Sequence, residues 1–215
     1  MIRVEFEKHA FRLRTYLLLA VVAGFPALLT LIFSLGGPPS HAGAERDFIL
    51  LAPESGVNMA LATLGHASDL ILPLVGVILV GSAVAEEASW GTLGYLLVRP
   101  VTRLRLLVSK LVVVASLILA ASTVVTLFAV ADGLVAFGWR PVETPSGTTL
   151  AADTALARVV VVAPYIAWSL AGVMSAGFLV STLSNSPLYA AATAFGLATV
   201  SQILDSLSAM GGRMA

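Results

Sequence analysis

The stretch LVVVASLILAASTVVTLFAVA, from Leu111 to Ala131, contains only apolar residues, serine and threonine. Its length matches the roughly 20 mostly apolar residues that a helix needs to cross the hydrocarbon core of a bilayer. The rest of the chain has the same character: of its 215 residues, 58% are hydrophobic and 11% are charged. Soluble domains carry roughly 25% charged residues. The sequence therefore predicts a protein whose solvent is largely a membrane.

Other apolar stretches of similar length lie on both sides of this one. The second of these stretches runs from Asp69 to Ala85. It could begin as early as Ala60 if Gly65, His66 and Asp69 lie at the lipid headgroups or inside a bundle. We therefore predict an all-α, polytopic transmembrane helix bundle that forms a single domain over residues 1–215. The five predicted spans are Thr15–Leu35, Asp69–Ala85, Leu111–Ala131, Arg158–Val180 and Leu188–Leu207.

Small residues and prolines within the spans are expected to serve packing and helix ends. Pro164 and Pro187 are placed in the first turns of the last two spans, where proline costs little. Gly172 and Ala176 form a small-xxx-small step, broadened by Gly177, of the kind that lets membrane helices approach closely.

Basic residues are concentrated on one side of the predicted membrane. By the positive-inside rule, the amino terminus and the connector Glu86–Lys110 are cytoplasmic, and the loops 36–68 and 132–157 face outward. We expect the basic residues of the connector to lie at the lipid headgroups. The residues that carry this bias are Arg3, Lys8, Arg12, Arg14, Arg99, Arg103, Arg105 and Lys110.

A cleavable secretion signal is not favoured. Ala42-Gly43-Ala44 fits a small-x-small cleavage site. However, the apolar run Tyr16–Leu35 is longer than the ~7–15 residues of a signal-peptide core. The first apolar run is therefore predicted to be a retained span.

The sequence contains none of the common catalytic motifs. It has no GxxxxGK[ST], HExxH or GxSxG pattern and no cysteine, so we expect no ATP hydrolysis and no bound cofactor in this chain. A net charge of zero argues against nucleic acid as a partner. His66 and Asp69 could share a ligand, but a polar start to the second span is the favoured interpretation.

The connector between spans two and three has its own pattern. Trp90, Leu93 and Leu97 recur at i, i+3 and i+7, which predicts an amphipathic surface helix. Glu86 and Glu87 lie at its amino-terminal end, where the helix dipole favours acidic side chains.

A proline ends this predicted helix. Pro100 disfavours helical geometry at Arg99, so the chain is expected to bend there. An ordinary loop that carries topology charges would explain the arginines. It would not explain why an acid pair, Gly91-Thr92 and Arg99-Pro100 occur together.

The connector resembles that of the ABC-2 type transporter permeases. The resemblance is carried by Glu87, Gly91-Thr92-Leu93, Leu96-Leu97, Pro100, Thr102-Arg103 and Lys110, whose spacing follows the family pattern. The stretch FEKHAFRLRTYLLL, Phe6–Leu19, is also similar to the amphipathic helix that leads into that family's first span. Gly94 departs from the family, which commonly has a basic residue there.

The resemblance implies a permease subunit of an ATP-binding-cassette exporter in a bacterial plasma membrane. Such a subunit pairs with a second permease copy or a paralogue, and it docks a dimer of ATPase subunits that bind ATP and magnesium. The connector would then be the helix that couples ATP hydrolysis to transport. The residues expected to carry this role are Glu86, Glu87, Trp90, Gly91, Thr92, Leu93, Leu97, Arg99, Pro100 and Arg103.

Several alternatives stay open on the sequence. The family usually has six spans, so either a final returning helix is missing from this chain or this member has five. The exported substrate is not identified by any residue pattern. A non-transporting anchor or assembly subunit that docks a cytoplasmic partner is the leading alternative function, and a membrane-embedded enzyme is a weaker one because no catalytic constellation is recognisable.

Overall fold

The computed structural model describes residues 2–36, 49–91 and 102–211. Nearly all of its regular structure is helical, and a short two-stranded hairpin precedes the fourth span. In chain order the described elements are α1 (Ile2–Ala10), α2 (Leu13–Gly36), a 3₁₀ turn (Ala52–Glu54), α3 (Gly56–His66), a π turn (Ala67–Ile71), α4 (Leu72–Ala83), α5 (Ala85–Ser89), α6 (Arg103–Phe137), β1 (Val142–Glu143), β2 (Thr149–Leu150), α7 (Ala152–Ser169), α8 (Ala171–Leu183) and α9 (Pro187–Gly211).

Within the described residues, five helical segments are long and apolar enough to cross a membrane. A helix is the form expected for such segments, because a bilayer offers no water to satisfy backbone N–H and C=O groups. The predicted all-α polytopic bundle of five spans is confirmed. The observed spans are Leu13–Gly36, Gly56–Ala83, Leu104–Phe137, Ala152–Leu183 and Pro187–Leu204.

The second span begins earlier than Asp69. Its helix starts at Gly56, where the Ser55 hydroxyl caps the first turn by accepting a hydrogen bond from Val57 N at 3.2 Å. His66, whose polarity suggested a later start, lies within this helix, and its Nδ1 atom is 2.8 Å from the Ala62 carbonyl oxygen one turn earlier. Asp69 lies in the π turn that interrupts the α-helical pattern. The interpretation in which the span begins near Ala60 is therefore the better one.

The third and fourth spans also differ from their predicted bounds. α6 has 35 residues, which at 1.5 Å per residue gives about 52 Å, well above the ~30 Å hydrocarbon core. The fourth span is divided by Leu170 into α7 and α8. Pro164 lies inside α7 and not in a first turn, because α7 begins at Ala152. The placement of Pro187 at the start of α9 is confirmed.

The described residues fall into two compact units. In the first unit, α4 and α8 each approach α9 closely enough to require glycine. A Cβ on Gly81 would lie 2.8 Å from Ala191 N, and a Cβ on Gly177 would lie 2.7 Å from Ala194 Cβ. A Cβ on Gly172 would meet nothing within 4 Å, so the close approach is at Gly177. The first unit comprises Met1–Arg12, Pro73–Ile118 and Trp168–Ala215.

The second unit comprises Leu13–Leu72 and Leu119–Ala167. Its core contains Phe33 and Met59, with Phe137 packed against them. The hairpin β1–β2 is antiparallel, with Val142 opposite Leu150 and Glu143 opposite Thr149. It is fastened to α3 because Asn58 Nδ2 donates a hydrogen bond to the Glu143 carbonyl oxygen at 3.0 Å.

Candidate functional site

One buried hydroxyl holds the break between α4 and α5. α4 ends at Ala83, and Val84 leaves helical geometry with φ −120°. The hydroxyl of Ser181, on α8, accepts hydrogen bonds from Val84 N at 3.2 Å and Ala85 N at 3.1 Å. It donates its own proton to the Gly81 carbonyl oxygen at 3.0 Å. Ser181 therefore uses its full hydrogen-bonding capacity to fix the point where the connector leaves the span.

The break directs the two acids of α5 towards α1 and α6. There they meet basic side chains that lie far from them in the sequence, and a third acid from α1. We call this set of six residues the charge cluster; its members are Glu5, Lys8, Arg12, Glu86, Glu87 and Lys110.

Lys110 and Glu87 form the buried centre of the charge cluster. Lys110 Nζ lies 2.8 Å from Glu87 Oε1 and 3.2 Å from Glu5 Oε2. The Lys110 side chain is 1% exposed and that of Glu87 is 3% exposed. Lys8 Nζ also donates a hydrogen bond to Glu87 Oε1. These four groups balance two positive charges against two negative ones, which is the condition under which buried charges are tolerated.

The edge of the charge cluster lies beside the connector. The Arg12 guanidinium donates a hydrogen bond to Glu86 Oε2, and both side chains are mostly buried. Arg12 Cζ also lies 5.5 Å from the centroid of the Trp90 ring, within the range of a cation–π contact. Arg12, two residues after the end of α1, thus ties the segment between α1 and α2 both to the first turn of α5 and to the residue that follows α5.

The protonation of Glu87 follows from these contacts. Burial alone raises the pKa of the Glu87 carboxyl, and the hydrogen bonds and charges of Lys110 and Lys8 lower it. The net result is a pKa below the ordinary value of 4.5. Glu87 is therefore an ionised carboxylate at neutral pH, with two ammonium groups against it.

Comparison with known proteins gives the family. The family model described as ABC-2 family transporter protein matches residues 1–195, which contain the whole charge cluster. The chain belongs to this family. No curated protein and no solved structure matches it. As an ABC-2 family member, the chain is a multi-pass membrane component of an ABC transporter and has a permease role.

The structure changes how the two acids of this ABC-2 chain are understood. The resemblance placed Glu86 and Glu87 on a surface for the ATPase, whereas the charge cluster holds both of them against α1. Of the helix predicted from Glu86 to Leu97, the described part is α5, which ends at Ser89, and Gly91 has a φ of +68° that is not α-helical. The rest of that helix, from Thr92 onwards, lies outside the described residues. Trp90 is 62% exposed and is available to a partner.

The other predicted coupling residues have no described side chains. Thr92, Leu93, Leu97, Arg99 and Pro100 lie outside the described residues. Arg103 is the first residue of α6. The helix thus starts directly after Thr102, whose hydroxyl accepts a hydrogen bond from Arg105 N at 3.4 Å. The coupling role assigned to all of these residues stays a prediction.

Sequence reasoning named five of the six residues of the charge cluster but not their pairing, and it did not name Glu5. Glu5, Lys8 and Arg12 recur at i, i+3 and i+7 in the amino-terminal segment, but Lys8 and Arg12 were interpreted only as topology charges. Lys110 was expected at the lipid headgroups and is instead buried, because its ammonium group has two carboxylate partners inside the chain. Ser181 gave no signal, since a serine in an apolar span is usually a packing residue.

Neither a metal nor a shared ligand is indicated for the polar residues of the second span. Across residues 2–36, 49–91 and 102–211, no group of three His, Asp or Glu side chains is arranged to hold a metal ion. His66 contacts a carbonyl oxygen of its own helix. What the described ion pairs and hydrogen bonds do show is that they hold helices against one another.

Proposed function

We propose that this chain is the permease subunit of an ATP-driven exporter and that its connector couples a separate ATPase to the spans. Membership of the ABC-2 family supports a permease role. The further steps of the proposal are the separate ATPase dimer, outward transport, and pairing with a second permease copy or a paralogue. Orientation with the amino terminus in the cytoplasm of a bacterial cell is proposed from the distribution of arginine and lysine.

The observation that carries the coupling proposal is the attachment of the connector's first turn to α1 and α6. Lys8 links α1 to Glu87, Arg12 links the segment just after α1 to Glu86, and Lys110 links α6 to Glu87. Buried, hydrogen-bonded ion pairs are costly to separate, by about 3–5 kcal/mol when one partner is lost. A displacement of α5 alone would separate these ion pairs and cost this free energy. We therefore expect α1 and α6 to move together with α5.

This arrangement divides the predicted coupling residues into two roles. Glu86 and Glu87 are positioning residues, because their carboxylates are committed to partners in the same chain. Trp90 and Gly91 are exposed at the end of α5, so they are assigned to contact with the ATPase. Aromatic residues are enriched among those that dominate the energy of protein interfaces.

Replacement of Trp90 tests the contact role. We expect Trp90→Ala to weaken ATPase association by roughly tenfold, as for a moderate interface anchor. Trp139→Ala is the matched control, since Trp139 is 56% exposed in the second unit. Association is measured between the purified permease in nanodiscs and its proposed ATPase partner, once that ATPase is identified. Equal affinities for the two variants would contradict the contact role.

Transport itself is tested in liposomes that contain the permease and its ATPase. We expect ATP-dependent movement of a compound that stimulates the ATPase. Stable association without such movement for any stimulating compound would favour the alternative, a non-transporting anchor or assembly subunit. Failure to associate at all would contradict both functions.

A further inference from the structure

A cavity of about 330 Å³ lies in the first unit between the start of α1 and the first turns of α6. The residues that line it are Ile2 and Arg3 from α1, and Arg105, Val108 and Ser109 from α6. Two arginines from separate helices thus meet at one cavity whose other walls are partly apolar. The cavity is distinct from the charge cluster, which uses none of these side chains.

Both arginines can still bind an anion. The side chain of Arg105 is exposed, and no acidic side chain in the described part of the chain pairs with it. Arg3 Nε lies 2.9 Å from Glu7 Oε1, but the Arg3 side chain is 90% exposed. Exposed pairs of this kind contribute little to stability. A guanidinium has five N–H donors in a planar fork, so Arg3 retains donors for a second acceptor.

The cavity lies at one end of a helix that is long and apolar enough to cross a membrane. The third span begins at Leu104, so Arg105 is in the first turn of a membrane helix. Val108 lies one turn further along the span and is 46% exposed, and Ile2 is 50% exposed. A molecule that occupied this cavity would meet two guanidinium groups and two exposed aliphatic side chains. A phospholipid carries groups that match both, a phosphate and acyl chains.

We propose that Arg3 and Arg105 bind the phosphate of an anionic phospholipid, with its acyl chain against Ile2 and Val108. Arginine matches phosphate oxygens through paired N–H donors. Among the described residues, Glu7 is the acid that pairs with Arg3 and none pairs with Arg105, so the two arginines keep a net positive charge. A lipid with net negative charge complements that site, whereas a zwitterionic lipid brings a cation of its own. The apolar wall distinguishes a lipid from free phosphate.

The test uses the full-length protein in detergent micelles and two short-chain lipids, dioctanoyl phosphatidylglycerol and dioctanoyl phosphatidylcholine. We expect the wild type to bind the anionic lipid more tightly by roughly tenfold, from two basic residues near one headgroup. The double variant Arg3→Gln/Arg105→Gln should lose that preference, and Arg3→Lys/Arg105→Lys should retain most of it. Inorganic phosphate is titrated separately as a competitor.

The matched control is Arg140→Gln/Arg158→Gln, which removes the same charge from two exposed arginines of the second unit. This control should keep the wild-type preference, and every variant should keep the wild-type melting temperature because all four side chains are exposed. Equal binding of the two lipids by the wild type would overturn the proposal. So would a preference that survives Arg3→Gln/Arg105→Gln, an equal loss in the control, or displacement of the lipid by millimolar phosphate.

Discussion

Lys110 Nζ lies 2.8 Å from Glu87 Oε1, and the two side chains are 1% and 3% exposed. This contact joins the second turn of α6, in the third span, to the short helix that follows the second span. In an ABC-2 permease it lies at the beginning of the connector, so the element proposed to receive the ATPase motion is fixed to the membrane domain by charge.

Loss of the Glu87 charge should destabilise the protein strongly. Glu87→Gln leaves Lys110 and Lys8 with one remaining acid, Glu5, and we expect a loss of about 3 kcal/mol or more in the free energy of unfolding. Glu7→Gln is the control, because it removes an acid of an exposed pair worth about 0–1 kcal/mol. Thermal unfolding in detergent measures both variants. Equal melting temperatures would contradict the buried position of Glu87.

Glu5 and Lys110 should be energetically coupled. Each single variant, Glu5→Gln and Lys110→Met, leaves a charged group without its partner at 3.2 Å. The double variant removes both charges, so its destabilisation should be smaller than the sum of the single effects by about 1 kcal/mol or more. The measurement is a double-mutant cycle on the free energy of unfolding. Strict additivity would mean that the pair does not interact.

The contribution of Glu87 should disappear in acid. Its pKa is lower in the folded protein than its ordinary value of 4.5, so the unfolded chain binds a proton first as the pH falls. The stabilisation is therefore fully present above pH 4.5 and is lost as the pH falls through the lowered pKa. Melting temperatures of wild type and Glu87→Gln should converge in that acidic window. A constant gap down to pH 3, well below the ordinary pKa, would contradict this.

The Ser181 hydroxyl should stabilise the break before α5. Ser181→Ala removes the acceptor of two backbone N–H groups, and we expect a loss of about 1–3 kcal/mol. Ser175→Ala is the control on the same helix, since the Ser175 hydroxyl donates only to the Ala171 carbonyl oxygen of α8. Its effect should stay within about 0.5 kcal/mol. Similar effects for both serines would show that the hydroxyl does not hold the break.

The proposed orientation is tested with single cysteines, since the chain has none of its own. Ser89→Cys at the end of α5 and Ser146→Cys in the hairpin loop both replace exposed serines. A membrane-impermeant maleimide added to intact cells should label the cysteine at position 146 and leave the one at position 89 unlabelled. Labelling at position 89 from outside would reverse the topology.

The spans could be predicted because their signal is local. A run of 20 apolar residues needs no knowledge of its neighbours to be identified as a membrane helix. The start of the second span could not be placed in the same way. In the sequence alone, the polar residues His66 and Asp69 look like the end of an apolar segment, although they lie within one helical span. The π turn at Ala67–Ile71 and the break at Leu170 were not predicted, because the apolar composition that identifies a span does not show where its helix is interrupted.

The charge cluster could not be predicted for a different reason. Its partners are separated by 79, 74 and 105 residues, and a sequence alone gives no pairing between such distant charges. The positive-inside rule already accounted for the positions of the same arginines and lysines, so there was no reason to look for acidic partners. Only the folded chain reveals that Lys8, Arg12 and Lys110 are matched by acids.

The distance in sequence between these partners also sets an order of assembly. α1 is synthesised first, yet the acids that pair with Lys8 and Arg12 follow by 79 and 74 residues, and the partner of Glu5 follows by 105. Lys8 and Arg12 therefore meet their acids only after the second span has been made, and Glu5 meets Lys110 only after the third span has begun. Closure of the cluster is thus a late event in folding that depends on the placement of α1, α5 and α6.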